Sequence, residues 1–184
     1  VSLEEILRVT PSVGLKKDFI FTKSSIGATG PMSDDLLFIG LDTTIKDDLK
    51  LYLYPVEVKC SANPTSFLKK GDAQVAETFR QLRLNLTGPE FFIKRLYRTF
   101  FTSQFLNNAE KLCANGLLTE EEYSELEEVR FALLNDGFKI EEWLQDKKLG
   151  NAAVVSYHDQ AIHEISTSVK DNVAICHIHL TEKE

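Results

Sequence analysis

The chain has no apolar run approaching the roughly 20 residues of a membrane span. Its opening, VSLEEILRVTPSVG, lacks the basic start and apolar core of a secretory signal. Both absences point to a cytoplasmic protein. The lack of an initial Met suggests a piece of a longer polypeptide. Cysteine is scarce: Cys60, Cys113 and Cys176 are the only three in 184 residues, with no CxxC among them. An odd number without ligand spacing argues against a disulfide framework or a zinc site and reads as reduced core thiols. An excess of basic charge is missing too. Lys and Arg number 21 against 28 Asp and Glu, a formal net charge of −7. A domain that grips DNA through its overall field is normally basic, so nucleic acid would have to be met by a local patch or by other parts of a larger protein. G-x-S-x-G and GxxxxGK[ST] are both absent, which removes the common serine-nucleophile and P-loop readings. There are no internal repeats or low-complexity tracts.

What is present is a mixed α/β pattern: strands, then helices, then strands. SLEEILRV has helical spacing, with Ser2 and Glu5 as a capping box. DFIFTK reads as a strand and SSIGATGPMS (24–33) as a loop. DDLLFIGLD and LKLYLYPVEVKC are strands, and residues 34–60 together form an expected β-hairpin turning about residues 45 and 46. FLKKGDAQVAETFRQLRLNL is helical, capped by Thr65 or Ser66 and weakened in its first turn by Gly71. Residues 89–148 read as almost wholly helical. One helix starts near Pro89 and stops at Gly116, and a second runs from the Thr119–Glu122 capping box to Gly137. KIEEWLQDKKLG is a third, shorter one. AAVVSYH, AIHEISTSV and VAICHIHL return to strands, the last two joined by a KDN turn. The expected organisation is one domain, with a core of 1–85 and 151–184 and a helical insertion or lobe of 86–150.

Glu57 and Lys59 end the most hydrophobic strand, and side chains two apart on a strand share a face. Folding the hairpin puts Asp34 roughly opposite Glu57, with cross-strand neighbours about 5 Å apart. Two carboxylates that close need neutralising. A divalent cation would do so, because two carboxylates, a backbone carbonyl and waters suit Mg²⁺ or Mn²⁺. A lysine beside such a metal can position or deprotonate water and offset charge on a pentavalent phosphate. The bland alternative is a salt-bridged solvent face on an edge strand.

Asp34 opening one hairpin strand and Glu57-Val58-Lys59 closing the next resemble the PD-(D/E)XK, or restriction-endonuclease-like, nuclease superfamily. The resemblance covers residues 1 to about 85. It implies a central mixed sheet flanked by helices, here with a long helical insertion. It also implies a metal-dependent endodeoxyribonuclease in which Asp34 and Glu57 ligate Mg²⁺ with the Val58 carbonyl and Lys59 activates water. Gln74, on the following helix, would orient substrate or lysine. Glu5 or Glu4 on an early helix would assist a second metal. Asp35 competes with Asp34 for the metal role, since a strand shows only one of them to Glu57 and a one-residue shift would swap them. Two departures stand out. Ser33 replaces the motif's Pro, and Pro55 interrupts a strand expected to be central. PVEVK also resembles the C-terminal region of DNA-phosphorothioation-dependent restriction proteins. That likeness implies DNA, an ATPase and other subunits of a bacterial defence complex as partners, with no membrane. The alternative is a nuclease-fold module without turnover that serves as a docking or DNA-binding scaffold.

Around the Gln74 helix, Lys69, Lys70, Arg80 and Arg83 are candidate nucleic-acid contacts. FFIKRLYRTFF interleaves Lys94, Arg95 and Arg98 with aromatics and is expected chiefly as core with a solvated basic flank, with DNA contact as the alternative. His177 and His179 share a strand face at a spacing that suits a metal, with His158 or His163 as third ligands, though polar-face histidines are the expected reading. Glu120 and Glu121 mark a solvated helix face. Cys60 is expected to point away from Lys59 into the core.

Overall fold

The computed structural model describes residues 36–60, 64–89, 91–142, 149–157 and 164–180. It is a mixed α/β fold with a mixed parallel and antiparallel sheet and flanking helices. Strand β1 (Leu36–Asp42) neighbours β2 (Leu49–Cys60), and residues 43–48 connect them. The connection is closed by Asp48 N–H donating to the Ile45 carbonyl at 2.9 Å and by Thr44 N–H donating to Asp42 at 3.0 Å. Ser2, Glu4, Glu5, Asp34, Asp35, His158 and His163, with DFIFTK and the 24–33 loop, lie outside the described residues. No helix among the described residues is long and apolar enough to cross a membrane. The chain divides into two compact units, each built on one half of β2.

The first unit takes residues 39–53 and 83–141. It contains helices α2 (Phe91–Ala114) and α3 (Glu120–Leu134) and strand β3 (Phe138–Glu141). Leu49 and Leu51 alternate inward from β2 and meet Leu106, Ala109, Leu126, Val129, Leu133 and Phe138 in one apolar cluster. α2 ends where its spacing predicts. Gly116 sits at φ 68, and Leu117 N–H reaches back to the Leu112 carbonyl at 2.9 Å, closing a Schellman turn. α3 begins at the expected capping box. Thr119 accepts from Glu122 N–H at 3.2 Å, and Glu122 accepts from Thr119 N–H at 2.9 Å, which holds the Glu122 carboxyl below its usual range.

Two expectations fail in this unit. FKIE is a strand, not the start of a third helix. Phe138 turns inward, Lys139 outward, and β3 pairs in parallel with Leu49–Tyr52 of β2. Four residues carry too little periodicity to declare a strand, and the partner that decides them is far away in sequence. Arg98 is not part of a basic flank but is buried. Its guanidinium donates to Asp136, to the Phe138 carbonyl and, at 3.2 Å, to the Leu86 carbonyl, and it lies 4.1 Å over the Phe138 ring. The acid it grips is the C′ residue of α3, held at φ 65 where glycine is usual. Tyr97 and Phe101 are core as expected, whereas Phe91 and Phe92 are exposed. Arg98→Met is expected to lose about 3 kcal/mol by leaving Asp136 and two carbonyls without their donor, which urea denaturation followed by circular dichroism would measure.

The second unit comprises 36–38, 54–82 and the described residues beyond 142. Here the latter part of β2 pairs in parallel with β4 (Ala152–Tyr157), which pairs in parallel with β6 (Val173–Leu180). β5 (Glu164–Lys170) pairs antiparallel with β6 through a two-residue turn, Asp171–Asn172, both at positive φ. That is the type I′ geometry Asp and Asn tolerate. Helix α1 (Pro64–Thr87) starts at proline, a favoured first helical residue, one and two positions ahead of Thr65 and Ser66. Its Leu68, Val75, Ala76 and Phe79 pack on Ala152, Val154, Val173 and Ile175. The opposite sheet face carries Val56, Val58, Ala153, Val155, Cys176 and Ile178. Pro55 is buried and falls between the β3-paired and β4-paired stretches of β2, where its missing N–H costs neither ladder a bond.

Candidate functional site

Register places the polar residues. Glu57 of β2 lies opposite Val154 of β4, which lies opposite His177 of β6; one step further, Lys59, Ser156 and His179 form the next row. In-register neighbours share a face, so both rows lie on the face that α1 covers. They occupy the C-terminal ends of three parallel strands, where ligands of open α/β sheets are usually held.

β2 is an interior strand, with β1 on one side and β4 on the other, and the Glu57 side chain is only 5% exposed. The solvent-edge reading of the Glu57–Lys59 pair is therefore overturned. Lys59 Nζ donates to Glu57 Oε1 and, at 2.8 Å, to Gln74 Oε1 on α1. Glu57 and Lys59, paired by strand spacing, and Gln74, implied by the resemblance, thus meet at one ammonium group. Burying a carboxylate and an ammonium costs several kcal/mol each unless they face one another with further hydrogen bonds, and Gln74 supplies one.

Gly71 makes this approach feasible. A Cβ there would lie 3.1 Å from Val154 Cγ1 and 3.6 Å from Lys59 Cε. The glycine that reads as a weak point in the helix lies against the sheet, where a side chain would press on Val154 beside Lys59.

The structure adds residues that spacing alone did not join to the site. Ser156 Oγ lies 2.7 Å from His179 Nδ1, and Ser168 Oγ lies 2.8 Å from His177 Nε2. Asp72 Oδ1 is 3.4 Å from the same Nε2. Their signal was faint but present: Ser156, His177 and His179 break apolar strands at the two-residue period of Glu57 and Lys59. No group of three His, Cys, Asp or Glu side chains among the described residues could hold a metal ion. Glu57 is a hard-oxygen donor suited to Mg²⁺ or Mn²⁺, and Val58 offers a carbonyl. The remaining expected ligands, Asp34 or Asp35 and Glu5, lie outside the described residues.

Among the candidate nucleic-acid contacts, Lys69, Lys70 and Arg83 are exposed. Arg80 is exposed but engaged by both Glu77 oxygens at 2.7 and 2.8 Å, and this pairing lowers the Glu77 carboxyl. Cys60 is exposed at the end of β2 rather than core, Cys113 is half-buried, and only Cys176 is fully buried. No family model matches the chain, and comparison with curated proteins and with solved structures finds no match.

Gly71→Val is expected to destabilise the protein by about 1–3 kcal/mol through overpacking against Val154. Thermal denaturation would register the loss, and ¹⁵N spectra of the Gln74 side-chain amide would report its separation from Lys59.

Proposed function

We propose that the chain is a metal-dependent DNA endonuclease domain of restriction-endonuclease-like fold. The observation that carries the reading is the Lys59 ammonium held between buried Glu57 and Gln74 at the C-terminal end of an interior strand. This arrangement gives each group of the resemblance a physical task. Glu57, with Asp34 or Asp35, would hold Mg²⁺ or Mn²⁺ beside the Val58 carbonyl. The ion, when bound, supplies positive charge to the phosphodiester under attack. Lys59 stands beside that position with protons to give to developing negative charge, or, once deprotonated, with a lone pair for the attacking water. Gln74 fixes the direction of the ammonium. Water would add to the phosphorus while one ester oxygen leaves as a hydroxyl, so each cut would yield one phosphate end and one hydroxyl end.

Lys69, Lys70 and Arg83 would contact phosphates, with Arg80 a weaker candidate because Glu77 already neutralises it. Membership of a bacterial restriction or defence protein, with an ATPase and further subunits supplying most DNA affinity, rests on the PVEVK resemblance and agrees with the net charge of −7. Cytoplasmic location follows from the same assignment.

A second reading has its own observation. The ion pair is complete without a metal, and an ordered Glu57–Lys59 contact is what a docking or DNA-binding scaffold of this fold without turnover would retain. Plasmid cleavage in Mg²⁺ and in Mn²⁺ decides between them, with phosphorothioated and unmodified DNA. Glu57→Gln and Lys59→Met are expected to fall by about 100-fold or more while keeping their circular dichroism spectra. Undiminished cleavage by both folded variants refutes the nuclease site. Absence of cleavage by the parent chain, together with no Mn²⁺ binding in calorimetry, favours the scaffold.

A further inference from the structure

Asp72 lies on α1 between the two residues that tie this helix to the sheet, Gly71 against Val154 and Gln74 against Lys59. Its Oδ1 is closed off from solvent and has no hydrogen-bond partner among the described residues. His177 Nε2 is 3.4 Å from it and 2.8 Å from Ser168 Oγ, and the imidazole is 9% exposed. The three residue types invite comparison with a hydrolytic triad, but the geometry refuses it. A triad places carboxylate and hydroxyl on opposite ring nitrogens, whereas here both face Nε2.

One nitrogen cannot serve both oxygens in every protonation state. Without its proton, Nε2 turns a lone pair toward the carboxylate. With a proton on a neutral ring it has a single bond to give. With both ring nitrogens protonated, a cation faces the Asp72 carboxylate. The remaining charges nearby are few. Lys170 acts on Asp72 from β5 and also faces Asp171 at 3.9 Å. The His179 ring stacks on His177 with centroids 6.1 Å apart and bonds to Ser156. Glu57 and Lys59 share the register rows of the two histidines, two strands away, and are paired with each other.

We infer that Asp72 and His177 form a proton-holding positioning pair that ties α1 to β6 and keeps Gln74 against Lys59. Burial raises the Asp72 carboxyl, while His177 and then Lys170 pull it down. With burial dominant, the folded protein keeps the Asp72 proton to higher pH than the unfolded chain does. The stabilisation is therefore present at low pH and lost as pH rises through the folded value. An ionised Asp72 whose Oδ1 is buried without a hydrogen-bond donor among the described residues then works against the seat of α1. Neither residue is catalytic. The effect on the Lys59 site rests on the nuclease reading; the pair itself does not.

The test compares the parent chain with Asp72→Asn, an isostere that carries no charge. Melting temperatures are measured from pH 3.5 to 8.5, alongside amide exchange of residues 68–76 corrected for intrinsic rates. The variant is expected to melt about 2–4 °C higher near pH 8, with the gap closing as pH falls into the ordinary aspartate range. Slower α1 exchange in the variant is expected only where the parent's Asp72 carboxyl is ionised. Parallel melting curves overturn the inference, and so does an equal loss in the variant at every pH, which marks a plain structural contact. In a His177→Gln background the Asp72→Asn gap near pH 8 is expected to change; an unchanged gap shows that the two side chains are not coupled. None of these readouts uses DNA, so an inactive nuclease bears only on the proposed function.

Discussion

An ammonium group shared by a buried carboxylate and a glutamine amide governs the second unit. Glu57 is tolerable under α1 because Lys59 neutralises it, and Lys59 is held in place because Gln74 accepts one of its protons. Each contact presupposes the next. The helix must lie close enough for Gln74 to reach, and it lies that close because residue 71 has no side chain. Desolvating such a pair is costly, and well-packed apolar residues of similar volume would stabilise the fold at least as well. Its contribution is direction, not stability: a cation aimed at a fixed point beside a carboxylate.

Arg98 and Lys59 show how differently two cations are used according to their partners. Arg98 spends its planar fork on Asp136 and two backbone carbonyls and stacks on Phe138, so it closes the end of α3 and fixes the entry into β3. Guanidinium geometry suits that fixed, many-armed role. Lys59 is a point charge on a flexible stem, 17% exposed, at the open end of a parallel strand. A compact ammonium that reaches solvent can exchange partners, as the proposed role toward a phosphodiester would require.

Much of this was legible from the chain alone. The alternation in LKLYLYPVEVKC identifies a strand and puts Glu57 and Lys59 on one face, because that period is a property of the backbone. The Thr119–Glu122 cap, the stop at Gly116 and the turn at Asp171–Asn172 are local as well. They use bonds and dihedrals within a few residues of one another. Gln74 was found through the resemblance, and the hydrogen bond to Lys59 is consistent with that placement.

Elsewhere the deciding partner lies far along the chain. FKIE becomes a strand only because Leu49–Tyr52 offers a parallel edge. Arg98 becomes structural only because α3 ends beside it. Register across β2, β4 and β6 brings His177 and His179 into the rows of Glu57 and Lys59, and the packing of α1 on that face sets Asp72 against an imidazole. The sequence by itself determined the local periods, the caps and turns, and the shared face of Glu57 and Lys59, since these depend on backbone geometry over a few residues. Tertiary structure decided which charges are buried, which strands neighbour one another and how near α1 comes to the sheet, since those depend on contacts between residues tens of positions apart.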